Sequence, residues 1–77
     1  MYFEINDPNG IWELVASELD RATKKFGTFH STHEGFAIIK EELDEMWDEI
    51  KKNNITRSRE EAIQVAAMAL RYLMDIK

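Results

Sequence analysis

Residues 62–76 read AIQVAAMALRYLMDI, and the fold turns on how they are read. The strongly polar members are Gln64, Arg71 and Asp75. On a wheel of about 100° per residue they fall, with Glu61 and Met68, inside a strip about 80° wide. Nearly everything else around this helix is apolar. A helix that is hydrophobic nearly all round is normally buried on several sides. Three helices of a 77-residue chain can hardly cover it. The expectation is therefore a homodimer or homotetramer with this helix at its centre.

Upstream, Ser58 and Glu61 stand in the S-x-x-E spacing of a capping box, which predicts a helix start near Ser58. KKNN at 51–54 ends the preceding helix, whose apolar stripe is Phe36, Ile39, Leu43, Met46, Trp47 and Ile50. Ser31 and Glu34 repeat the capping spacing at its start. The short loop between these two helices predicts an antiparallel pair. A first helix is expected from NDPNG onward, with Asp7 as cap and Pro8 at its first position. It runs through Ile11, Trp12, Leu14, Val15, Leu19, Ala22 and Phe26 to a stop at Gly27. MYFEIN at 1–6 reads as a short extended arm. The predicted fold is all-α: one domain over 1–77, a small bundle of about three helices with a central antiparallel pair, completed by oligomerisation.

Composition narrows the function classes. At 44% hydrophobic and 32% charged residues the chain is globular. A formal net charge of −5 argues against a nucleic-acid polymer as partner, which needs a basic face. The chain has no cysteine, so no disulfide and no thiolate metal site is available. No apolar run approaches a membrane span and MYFEINDPNG has no signal-peptide pattern, so no membrane partner is expected. Together with the lack of cysteine this predicts a cytoplasmic protein.

The acidic run EELDEMWDEI at 41–50 carries six carboxylates in ten residues. Glu41, Asp44 and Asp48 lie towards the back of the helix, and together with Glu49 they read as solvated surface. Glu42, Glu45 and Glu49 share a stripe with Ile38, roughly 90° from the apolar centre in the case of Glu42. Glu42 and Glu45 are i, i+3 neighbours, and so are Glu61 and Gln64 on the next helix. If the two strips face each other, three carboxylates and an amide converge, which is the oxygen set a hard divalent cation prefers. Taken singly, each has a plainer reading. Glu42 and Glu45 are a wet face, Glu61 is a cap, and Gln64, Arg71 and Asp75 are the solvent edge of a buried helix. His30 and His33 lack the further ligands of a zinc site. No phosphate-cradling glycine loop and no activated nucleophile is present in the sequence.

EELDE at 41–45 matches an E-E-x-x-E pattern, and EAIQ at 61–64 stands where E-x-x-D follows in the MazG-like all-α nucleotide pyrophosphohydrolases. FGTFHSTHEGFAIIKEELDEMWDEI and REEAIQVAAMALRYLMDI resemble small MazG-like proteins of phages and prophages, over residues 20–76. The resemblance implies a helical dimer or tetramer that hydrolyses a nucleoside triphosphate to the monophosphate and pyrophosphate with Mg²⁺, or Mn²⁺ in its place. Carried over by position, Glu41, Glu42, Glu45 and Glu61 are the acidic catalytic residues. Glu42, Glu45, Glu61 and Gln64 are the metal set, and Glu41 is the spare carboxylate to orient water. Lys51, Lys52, Arg57 and Arg71 are the expected phosphate contacts.

Gln64 departs from the family pattern. An amide ligates through oxygen but brings no negative charge, so metal affinity and turnover are expected to fall. The chain is also short for the family. The competing expectations are a silent protein that holds a nucleotide without cleaving it, and an oligomeric interaction protein with neither metal nor nucleotide.

Overall fold

The computed structural model describes Asp7 and residues 9–77. Among these residues it contains three helices and no strand: α1 (Ile11–Phe26), α2 (Thr32–Lys51) and α3 (Ile55–Asp75). The all-α expectation holds. The anticipated arm at 1–6 and the role of Pro8 lie outside the described residues.

Each helix start has an identifiable donor–acceptor arrangement. The Asp7 carboxylate accepts from the backbone N–H of Ile11 at 2.7 Å and of Trp12 at 2.8 Å. It therefore caps α1 as expected, but from outside a Gly10 that turns at φ 65° before the helix begins. At α2 the Ser31 hydroxyl accepts from Glu34 N–H at 3.1 Å, while the Glu34 carboxylate accepts from His30 N–H at 2.9 Å. This is a capping box shifted back by one residue on its return arm.

The start of α3 corrects the sequence reading. Asn54 is the cap, its side chain accepting from Arg57 N–H at 3.0 Å. Ser58 lies one turn inside the helix, its hydroxyl donating to the Ile55 carbonyl at 2.8 Å. The reason is the tight end of α2. Asn53 takes φ 58°, Asn53 N–H donates to Ile50 O and Asn54 N–H to Glu49 O, each at 3.0 Å. That pair of bonds is a Schellman closure with asparagine in its left-handed position. It delivers Asn54 directly to the start of the next helix, and Glu61 is thereby released from capping.

α1 and α2 each pack against α3 and do not pack against each other. The Cα radius of gyration of 13.3 Å exceeds the roughly 11.5 Å of a compact chain of this length. The core is thin: Val15, Ala22, Phe29, Ala67 and Met68 are buried, with Leu19, Ile38, Ile39, Ile63 and Leu70 among those packed around them.

Two faces lie differently from where hydrophobicity alone places them. The α2 apolar stripe, whose place by hydrophobicity is the core or an interface, is largely in water within the single chain: Phe36 is 64% exposed, Trp47 56% and Leu43 51%. The half-buried side of α2 keeps Ile39 and Met46 from one edge of that stripe and adds Ile38, Glu42 and Glu49. With no packing from α1, α2 has a single helical neighbour, and its rotation is set at Gly35. A Cβ there would meet the Tyr72 ring at 2.5 Å and Phe29 at 3.3 Å, so glycine is what lets α2 lie against α3. Arg71, read as part of the solvent edge, is only 4% exposed.

Gly35→Ala is expected to destabilise the fold by about 1–2 kcal/mol, because overpacking of about 1–3 kcal/mol outweighs the helix-propensity gain of about 1 kcal/mol. Urea unfolding measures it, and an unchanged midpoint would contradict the close approach of Tyr72. In the same assay Asn54→Ala is expected to cost about 1 kcal/mol and Ser58→Ala under about 0.5 kcal/mol. The reverse order would restore Ser58 as the cap.

Candidate metal centre and adjoining cleft

The i, i+3 spacing puts Glu42 and Glu45 on one side of α2, and α3 brings Glu61 to meet them. One carboxylate oxygen from each lies within 4.8 Å of the others. Acidic side chains gather on many surfaces, so burial decides whether this cluster is unusual. Glu42 Oε2 and Glu61 Oε2 are both shut away from solvent and have no hydrogen-bond partner among the described residues. Burial, and then the charges of Glu45 and Glu61, push the Glu42 carboxyl up to about 7. Burial, and then the charge of Glu45, also raise Glu61 above the usual carboxylate range. Orphaned acceptors and crowded negative charge are what a divalent cation relieves, and three carboxylate oxygens suit Mg²⁺ or Mn²⁺. The donor set therefore fits such an ion.

The cluster stands beside a cleft of about 370 Å³, and Glu42 belongs to both. α1 contributes Glu18, Arg21 and Ala22 to the walls, the α1–α2 loop Thr28 and Phe29, α2 Ile38 and Glu41, and α3 Gln64, Met68 and Arg71. On the α1 wall Arg21 grips Glu18 at 2.6 and 2.9 Å. That hydrogen bonding holds Glu18 below its ordinary range. Backbone donation from His30 does the same to Glu34, another lining residue.

Arg71 closes one end of the cleft. Its guanidinium carbon lies 4.1 Å from the centre of the Phe29 ring, and its Nη2 donates to the Gly27 carbonyl at 2.7 Å. One turn further along α3, Asp75 accepts from Phe29 N–H at 2.8 Å. These two side chains fasten the α1–α2 loop to α3.

The sequence-predicted site residues thus separate into groups. Glu42, Glu45 and Glu61 come together. Glu41 is exposed on the cleft wall, and Gln64 lines the cleft one turn along α3 from Glu61. The four expected phosphate contacts do not gather. Lys51 pairs with Asp48 at 3.3 Å and Lys52 with Glu49 at 3.6 Å, while Arg57 is exposed near the start of α3. None of these three lines the cleft, and Arg71 sits ten residues beyond Glu61. Sequence reasoning missed the α1 wall and the Phe29–Arg71 stack. The available signal was an arginine inside an otherwise apolar helix, which has to find acceptors somewhere.

Comparison with protein-family models, with curated proteins and with solved structures finds no match for this chain. Among the described residues no helix is long and apolar enough to cross a membrane.

The carboxyl of Glu42 titrates higher in the fold than its ordinary 4.5, so its contribution to stability is fully present below that value. It is lost as pH rises through about 7. Metal-free protein is accordingly expected to melt at progressively lower temperature across this window. Glu42→Gln should flatten the dependence there. A melting temperature that rises over the same interval in the wild type would contradict the raised carboxyl.

Proposed function

We propose that this chain is a MazG-like, metal-dependent nucleoside triphosphate pyrophosphohydrolase, of the small type found in phages and prophages and acting in the cytoplasm. The observation that supports it best is the convergence of Glu42, Glu45 and Glu61 with two buried carboxylate oxygens lacking partners. Glu42, Glu45 and Glu61 would hold Mg²⁺ or Mn²⁺. Such an ion supplies charge neutralisation on phosphate oxygens and lowers the pKa of a bound water.

Around that centre the chain's own groups take defined parts. Glu41, exposed on the cleft wall, would accept a hydrogen bond from the attacking water and orient it. Lys51, Lys52 and Arg57 are exposed, and weak surface pairs of the kind that hold the two lysines leave such side chains free to swing onto phosphates. The chain acts as a homodimer or homotetramer. Phe36, Leu43, Trp47 and Ile50 recur at steps of seven, four and three, and a second copy covers this stripe.

Gln64 favours a second reading in which the protein holds a metal–nucleotide complex without cleaving it. The centre then has three negative side chains and a neutral neighbour, enough to bind and less suited to activate water.

Pyrophosphate release from the natural triphosphates in Mg²⁺ separates the two. On the first reading release occurs, and Glu42→Gln, Glu45→Gln and Glu61→Gln each lower kcat/KM at least ~100-fold, because a metal centre contributes several kcal/mol to the transition state. Nucleotide binding without release establishes the second. Full activity in all three variants overturns both.

A further inference from the structure

Resting on that reading of the centre, we infer that the phosphate chain of its ligand is bound from α1, by Arg21, a residue outside the acidic helix pair. Phosphate oxygens left over by a metal ion are best met by a guanidinium, whose fork matches their geometry. Two arginines line the cleft. Arg71 is 4% exposed and engaged with the α1–α2 loop. Arg21 is open to solvent, its side chain 52% exposed.

Three observations place Arg21 at the carboxylate end of the cleft and not at the loop end. It shares the cleft wall with Glu42, a member of the carboxylate cluster. It also lines a second hollow, to which α3 contributes Glu60, Ile63 and Gln64, residues on either side of Glu61. Hydrogen bonding to Glu18 and the Glu18 charge hold its guanidinium above the ordinary range, and the charge of Glu42 on α2 adds to that effect.

Taken alone, Arg21 with Glu18 is an ordinary surface pair one turn apart on α1, of a kind worth little. The geometry leaves it more to do. Glu18 accepts from Nε at 2.9 Å and from Nη2 at 2.6 Å, while an arginine has five N–H donors. Both N–H groups of Nη1 and the second of Nη2 have no acceptor among the described residues. The fork is already held in one orientation, so less side-chain freedom is lost when a phosphate meets it. Glu18 offsets the arginine's charge at a distance, so Arg21 acts at hydrogen-bonding range, through its free donors. The division of labour then follows the helices: α2 and α3 hold the cation, and α1, which packs only on α3, brings the group that holds the anion.

Inorganic tripolyphosphate carries a phosphate chain without base or sugar. Its Mg²⁺ complex is titrated by calorimetry into the wild type, Arg21→Gln, Arg21→Ala and Lys24→Ala. Lys24 stands on α1 three residues further on, paired with Asp20 at 2.9 Å and absent from the cleft walls, so its variant removes the same charge without the fork. Mn²⁺ affinity is measured separately by water-proton relaxation. Arg21→Gln keeps a side chain able to hydrogen-bond Glu18, which separates loss of the contact from loss of the pair. Both Arg21 variants should weaken tripolyphosphate binding about 10–100-fold and leave Mn²⁺ affinity within about twofold, as expected for lost charge-assisted hydrogen bonds to the anion alone. Lys24→Ala should stay within about twofold of the wild type for both ligands. Unchanged tripolyphosphate binding in Arg21→Gln, or an equal loss in Lys24→Ala, overturns the contact. So does a wild type that binds no tripolyphosphate, even one that releases pyrophosphate from nucleotides. A wild type that binds tripolyphosphate through Arg21 and releases nothing from nucleotides supports the contact and defeats the hydrolase, so the two fail separately.

Discussion

The guanidinium of Arg71 is buried with no ion-pair partner among the described residues, and a charge in that position must be held by whatever dipoles the fold brings to it. Here they come from the α1–α2 loop. The Gly27 carbonyl accepts from it, and the Phe29 ring presents its negative face at 4.1 Å. Asp75 secures the same loop through Phe29 N–H. Because α1 and α2 make no contact of their own, this fastening fixes where α1 ends and α2 begins. It thereby holds the two helices apart, and the space between them above α3 is the cleft.

At the other end of the same face of α3, the problem has the opposite sign. Three carboxylates approach one another, and two of their oxygens lose water without gaining a donor. The two ends are about ten residues apart, roughly 15 Å along the helix, too far for Arg71 to neutralise the glutamates. Each end therefore needs its own compensation. The loop dipoles supply it for the arginine. For Glu42 and Glu61 the free protein compensates by holding their carboxyls above the usual range, and a divalent cation compensates without the proton.

Periodicity made three helices legible, and i, i+3 spacing made Glu42 with Glu45 legible as a pair. What periodicity conveys is the angle of a residue around its own helix. It does not say which neighbour that angle faces. Leu43 and Trp47 were placed correctly on one stripe, but periodicity did not show that this stripe is turned from α3, because the rotation of α2 is decided by the contact of Gly35 with Tyr72, two residues far apart in sequence. Arg71 was misread for the same reason: its acceptor, Gly27, is 44 positions away. The start of α3 was misplaced by one turn because two capping candidates, Asn54 and Ser58, stand four residues apart. The geometry of the preceding Schellman turn chooses between them. The α1 wall of the cleft left no trace in any local pattern.

The two faces of α2 now bear on each other. An isolated chain governed only by the hydrophobic effect would turn Phe36, Leu43, Trp47 and Ile50 inward and leave Glu42 and Glu49 wet. The orientation found is turned about 100° from that one, and it combines two unfavourable exposures: apolar surface in water and carboxylates out of it. Rotating α2 by about 100° would relieve both while destroying the approach of Glu42 to Glu61. The observed rotation is favoured if each face has its own occupant, a cation on the inner side and a second copy of the chain on the outer. On the proposed reading the two occupants stabilise the same orientation of α2. Metal binding and self-association are then thermodynamically linked, each strengthening the other by the same free energy.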